Sequence, residues 1–232
     1  MRNLNELSIE TDSSPIAQFD YSIDVGKIEV YFKNLENILV QKIRSADVIL
    51  GCVAWLTNYT ILDALAETNC SLVIQKEDFL RPDLDPSSGW RQTLRDKYEN
   101  LNFKYDRHGL PGIAGSLSVA SDPSVDPIRC VGNINTDSNP AWPRAHHKFV
   151  VFCSAELNDG NPQRYRIIKP HAVWTGSFNF TKNATESFEN AVFINDESIA
   201  TAFAKEYGQI YALSEPLDWS STWHAPEYRI GT

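Results

Sequence analysis

Five side chains in the second half of the chain are of types that together handle a phosphoryl group. His146 and Lys148 stand two apart in AHHKFVVFC, Ser177 and Asn179 two apart in TGSFNF, and Glu189 follows in SFENAVFI. Alternate residues of a strand share a face, so His146 and Lys148 point one way while His147, Phe149 and Val151 point the other. By the same rule Ser177 and Asn179 project together, with Phe178 and Phe180 turned into the core. Two neighbouring strands of this kind gather an imidazole, an ammonium, a hydroxyl and a carboxamide into one patch. Lysine, serine and asparagine donate to non-bridging oxygens, and an imidazole attacks phosphorus. Glu189, at the start of the next strand, is expected to accept the second ring proton of His146 and so orient it.

These residues resemble the signature of the phospholipase D superfamily, written H-x-K, a later Asp, then G-S-x-N. Here it reads His146-His147-Lys148, then Gly176-Ser177-Phe178-Asn179, followed by Glu189-Asn190-Ala191-Val192. GCVAWLTNYTILDAL resembles the family's early strand-helix unit. The resemblance spans about Lys27 to Leu213 and is weakest from Glu77 to Asn139. It implies phosphodiester hydrolysis without metal or cofactor. One histidine becomes a covalent phosphohistidine, and a second protonates the leaving oxygen and then activates water. Only one copy of the motif is present, so the resemblance implies a homodimer whose site straddles the two-fold axis. Single-motif members are often nucleases, and the first expectation is an endonuclease acting on DNA or RNA. A phospholipase or small-molecule phosphodiesterase is the second reading, and a degenerate module kept for dimerisation or regulation the third.

Two departures from the family pattern stand out. The family's Asp falls five residues after the Lys, where this chain has Cys153. The segment from Ser154 to Pro170 also lengthens the gap to Gly176, and its Gly-Asn-Pro turn suggests a hairpin that shapes the substrate entrance.

Around the motif, Trp142 and Arg144 in NPAWPRAHHK are placed to stack a base or contact phosphate, and Gly176 lies against the substrate patch. The plainer readings are set beside these. His147 faces away from Lys148 as a core or interface histidine. His108, His171 and His224 read as solvated loop residues, and Trp55, Trp90 and Trp174 as packing residues. Cys52, Cys70, Cys130 and Cys153 form no CxxC pair and no metal-ligand spacing, so they read as buried free thiols.

The elements that must position these groups are legible in the periodicity. KIEVYF reads as a strand and NLENILVQKIRS as a helix with Leu35, Ile38, Leu39 and Ile43 on one face. ADVILGCVAWL reads as a buried central strand, NYTILDALAET as a helix capped by Asn58, and CSLVIQ as the next strand. WRQTLRDKYEN gives a helix inside the long irregular stretch from Glu77 to Asn139, the kind of segment that walls or covers a site. Three strand-like runs and an amphipathic helix, IATAFAKEYGQIYALS, close the pattern. The expected fold is α/β, a mixed sheet with helices on both faces and the site at the C-terminal edges of its strands. Residues 1–26 read as a lead-in and 27–232 as the catalytic domain.

The chain has 232 residues, 42% hydrophobic and 22% charged, the balance of a globular protein. No apolar run approaches the roughly 20 residues that cross a bilayer, and MRNLNELSIETDSS lacks the apolar core of a signal peptide. These features give a cytoplasmic expectation without membrane anchoring. A net charge of -9 argues against a general basic surface for nucleic acid. The basic residues concentrate between Arg81 and Lys182, which leaves room for a local basic cleft.

Overall fold

The computed structural model describes residues 3–4, 9–10, 15–16, 20–77, 89–104, 108–109, 126–132, 144–157 and 166–217. Two short strands, β1 (Ile9–Glu10) and β2 (Pro15–Ile16), pair with each other. The main sheet begins with β3 (Ile23–Asp24) and β4 (Ile28–Tyr31). Helix α1 (Leu35–Arg44) buries Leu35, Leu39, Val40 and Ile43 along one stripe. The all-apolar run VILGCV forms β5 (Val48–Val53), buried at every position as a central strand must be.

Asn58 then caps α2 (Tyr59–Ala66), accepting the Ile61 N–H on its side chain at 3.2 Å. Strand β6 (Asn69–Gln75) and helix α3 (Gly89–Glu99) follow. After them come β7 (His108–Gly109), β8 (Ile128–Val131), β9 (Lys148–Leu157) and β10 (Arg166–Gly176). Helix α4 (Lys182–Thr185), capped by Thr181, leads to β11 (Ala191–Ile194). Asp196 caps α5 (Glu197–Leu213), and β12 (Glu215–Pro216) ends the described chain.

The main sheet runs β12-β8-β6-β5-β9-β10-β11-β4-β3, with β7 added beside β10. β5, β6 and β8 are parallel neighbours, whereas β5–β9, β9–β10, β10–β11 and β11–β4 are antiparallel. The sheet is therefore mixed, as expected. One core lies between it and α1, α2 and α3, with Trp174 fully buried and stacked on Tyr31. The other lies under α5, where Ala200, Ala204 and Tyr207 meet Leu50, Val73 and Val151. Helices cover both faces. Among the described residues, no helix is long and apolar enough to cross a membrane.

Three expectations need correcting. The described ends of the 154–170 segment, Ser154–Leu157 and Arg166–Pro170, continue β9 and β10 as a paired hairpin, with Leu157 opposite Arg166. β9 starts at Lys148 and runs away from it, so this hairpin grows at the far end of the sheet, about 30 Å along the strand. Its described residues do not line an entrance beside His146 in the same chain. His171 lies inside β10, partly buried, and burial lowers its pKa against the opposing pull of Asp47 and Glu197. His108 lies in β7, not in a loop. His224 and most of the stretch from 77 to 139 lie outside the described residues.

Candidate functional site

Antiparallel pairing brings five chain segments to one edge of the sheet. β9 and β11 begin there, while β5, β6 and β10 end there, because Val53 pairs with Lys148 and Gly176 with Ala191. The site thus draws on the C-terminal ends of β5, β6 and β10, and on the N-terminal ends of β9 and β11. His146, Ser177 and Glu189 are not strand residues. His146 lies two residues before β9, Ser177 directly after β10, and Glu189 two residues before β11. Loop backbone at strand ends has spare hydrogen-bonding capacity, and side chains there turn toward open space.

Lys148 is only 9% exposed, yet its Nζ reaches the site. It donates to the His146 carbonyl at 3.0 Å and stands 3.2 Å from His146 Nε2. A charged Lys148 makes Nε2 the acceptor, which leaves the ring proton on Nδ1. The pKa of His146 lies below the ordinary imidazole value, through desolvation first and then the charges of Lys148 and Arg144. That of Lys148 is lowered by burial, with the Glu189 carboxylate pulling the other way. An imidazole held neutral beside a buried ammonium suits nucleophilic attack on an anionic phosphodiester.

The Ser177 hydroxyl donates to the Glu189 carboxylate and accepts the Asn190 N–H at 3.0 Å. The backbone closes the same turn, with Ser177 N–H on the Asn190 carbonyl at 3.1 Å. Gly176 is required here because a Cβ would run into that carbonyl and the Ala191 backbone. The glycine thus serves the tight β10–β11 junction. Phe178 and Phe180 are buried, as the alternation requires, and the Asn179 carboxamide oxygen is buried without a hydrogen-bond partner. Phe180 bridges to Leu56, its N–H donating to the Trp55 carbonyl at 3.0 Å.

No hydrogen bond joins Glu189 to His146 among the described residues; within one chain the carboxylate takes Ser177 as its donor. His147 does point to the opposite face, where it stands 3.5 Å from Glu206 of α5 and edge-on to Phe149. Arg144 lies 3.6 Å from Glu77, and Trp142 falls outside the described residues. Cys153 is fully buried between Val48 and Pro170, and burial pushes its thiol pKa up. A thiol in that place is a packing group. The other three cysteines are also buried and free. Among the described residues, no three His, Cys, Asp or Glu side chains gather as metal ligands.

Three residues at the site carried no signal in the sequence. Trp55, read as packing, meets the His146 ring edge to face with centroids 5.8 Å apart, and Lys148 Nζ lies 5.9 Å over its indole. Glu77 accepts the Trp55 indole N–H at 2.8 Å. Gln75, almost fully buried, accepts the Ala145 N–H at 2.7 Å and so fixes the backbone leading into His146. Beside Trp55 a cleft of about 450 Å³ opens, lined also by Thr57, Asn179, Lys182 and Glu189.

No family model matches the chain. The chain is 30% identical over 233 residues to uncharacterized protein L381 of Acanthamoeba polyphaga mimivirus, covering 94% of this chain and 75% of that protein. Among solved structures it is similar to NucT from Helicobacter pylori, with a TM-score of 0.50 and 14% identity over 82% of this chain and 98% of that one. It is also similar to Nuc from Salmonella typhimurium, a phospholipase D family member, with a TM-score of 0.43 and 20% identity over 81% of this chain and 95% of that one. The likeness to NucT is a likeness of fold.

Proposed function

The chain belongs to the family of the mimivirus protein L381, and on that premise we propose that it is a metal-independent phosphodiesterase, an endonuclease hydrolysing DNA or RNA. The observation that carries this reading is the single patch formed at one sheet edge by His146, Lys148, Ser177, Asn179 and Glu189. His146 Nε2 attacks phosphorus, forming an N–P bond as the P–O bond to the leaving nucleoside breaks. A second histidine supplies the proton to that oxygen, then takes one from the water that cleaves the N–P bond. One chain holds one such histidine, so the complete site belongs to a homodimer in which His146 of a second copy is the acid and base. Lys148 and the Asn179 carboxamide stabilise the non-bridging oxygens. The Ser177–Glu189 pair shapes the wall beside them.

Nucleic acid is favoured over lipid by what surrounds the patch. Arg144, Lys148 and Lys182 stand on or beside it, giving cationic groups where a phosphate backbone would run. The test is cleavage of single-stranded DNA, duplex DNA and RNA in the presence of EDTA. Wild-type cleavage that disappears in His146→Ala, with light scattering giving a dimer, is the expected result. Cleavage abolished by EDTA, or retained in His146→Ala, overturns the proposal.

A further inference from the structure

The cleft beside Trp55 does not end at the catalytic patch. It shares Thr57 and Lys182 with a second cleft of about 550 Å³, lined also by Asn58, Tyr59 and Trp90. The pair forms one continuous path from Asn179 and Glu189 to the start of α3. Its far end is unusual for a protein interior edge, because Trp90 is 48% exposed and Tyr59 37% exposed. The indole of Trp90 and the ring of Tyr59 give this end of the cleft an aromatic wall.

The platform is held rather than loose. The Tyr59 hydroxyl donates to the Trp90 carbonyl at 3.1 Å, tying the first turn of α2 to the first turn of α3. Lys97 pairs with Asp63 further along the same two helices. The Arg91 guanidinium lies 5.4 Å from the Trp90 ring centroid, adding a cation to the aromatic surface. Lys182 stands where the two clefts meet, exposed, and makes no ion pair with a described carboxylate. The acidic lining is occupied within the protein: Asn58 donates to Glu36 and Ser177 donates to Glu189.

We infer that this path is a binding groove for single-stranded nucleic acid, in which Trp90 and Tyr59 stack unpaired bases and Lys182 contacts the backbone on the way to His146. The inference rests on the proposed phosphodiesterase reading and names its substrate class. Aromatic faces accept any base that is unstacked, whereas the bases of a duplex are stacked on one another and hidden. The net charge of -9 points the same way. An acidic body gains little from long-range attraction to phosphate, so stacking must supply much of the affinity and the salt dependence should be shallow.

The experiment is fluorescence anisotropy of a labelled oligothymidylate of about ten nucleotides, on the full chain carrying His146→Ala so that nothing is cut. Trp90→Ala, added to that background, raises Kd about five- to one-hundred-fold, as loss of one stacked base requires. Trp90→Phe restores most of the affinity. Lys182→Ala weakens binding and lowers the slope of log Kd against log salt by about 0.7. Tyr21→Ala, an exposed aromatic just before β3 and outside the groove, leaves Kd as it was. A duplex of the same length binds more weakly. Equal affinity for duplex, or a Kd that ignores Trp90→Ala, overturns the groove. The two proposals fail separately. A wild-type protein that binds the strand through Trp90 but never cuts it loses the chemistry and keeps the groove. One that cuts, with affinity indifferent to Trp90, loses the groove and keeps the chemistry.

Discussion

Ser177 and Glu189 hold each other across the junction between β10 and β11, the hydroxyl donating to the carboxylate while it accepts the Asn190 N–H. The carboxylate that the sequence assigns to His146 is thus committed, within one chain, to the serine beside it. Its second effect is electrostatic, since it holds the Lys148 pKa up against burial.

Glu189→Gln removes that support. The Lys148 pKa, already below the ordinary lysine value, falls further, and the ammonium is lost at lower pH. An NMR titration of the Lys148 side chain is therefore expected to give a lower midpoint in this variant than in wild type. A midpoint that stays in place or moves up contradicts the assignment.

On the proposed mechanism, the acid limb reports His146. Attack requires the neutral ring, and desolvation together with Lys148 and Arg144 keeps it neutral to lower pH than a free imidazole. Activity should therefore persist below the ordinary midpoint of about 6.5 before falling. An NMR titration of the His146 ring is expected to give a midpoint on the acid side of that value. In Lys148→Met the midpoint should rise.

Trp55 meets the His146 ring, while Glu77 holds Trp55 and faces Arg144, so on the proposed mechanism both are positioning residues. Trp55→Phe keeps an aromatic edge but loses the 2.8 Å bond to Glu77, and Glu77→Gln loses the charge facing Arg144. Each should lower kcat about ten- to a hundredfold through misplacement of the ring, with KM changed less. The Glu77→Gln profile should also shift its acid limb, because Arg144 then acts on His146 uncompensated. A purely structural role would lower the melting temperature and leave the pH profile unmoved.

Cys153 sits where the resembled pattern has an acid, but here the position is core. Cys153→Asp would bury a carboxylate between Val48 and Pro170 beneath α5, at a cost of about 3 kcal/mol or more. Cys153→Ala should cost about 1 kcal/mol. Urea denaturation measures both. An aspartate variant as stable as wild type would mean that a partner for the carboxylate exists there.

The fold was readable wherever a single segment carried its own periodicity. The β-branched run of β5, the stripe of α1 and the Asn58 cap all form as their residues dictate. The strand alternation also separated His146 from His147 correctly, although the strand itself starts only at Lys148. What escaped the sequence was set by pairing between distant segments. Trp55 and Glu77 meet because β5 and β6 are parallel and in register, so that their ends emerge together, 22 residues apart in sequence. A tryptophan after an apolar strand gives no sign that its edge will face a histidine from β9. The Ser154–Pro170 segment misled for the same reason, since only the β9–β10 register reveals which end of the sheet it extends.

The most direct test of the central claim is hydrolysis of bis-p-nitrophenyl phosphate by purified protein in EDTA, wild type beside His146→Ala, with circular dichroism confirming that both are folded. The account predicts turnover by wild type that chelation leaves unchanged, and loss of at least about a thousandfold in the variant. Turnover that survives in folded His146→Ala, or that EDTA abolishes in wild type, would contradict it.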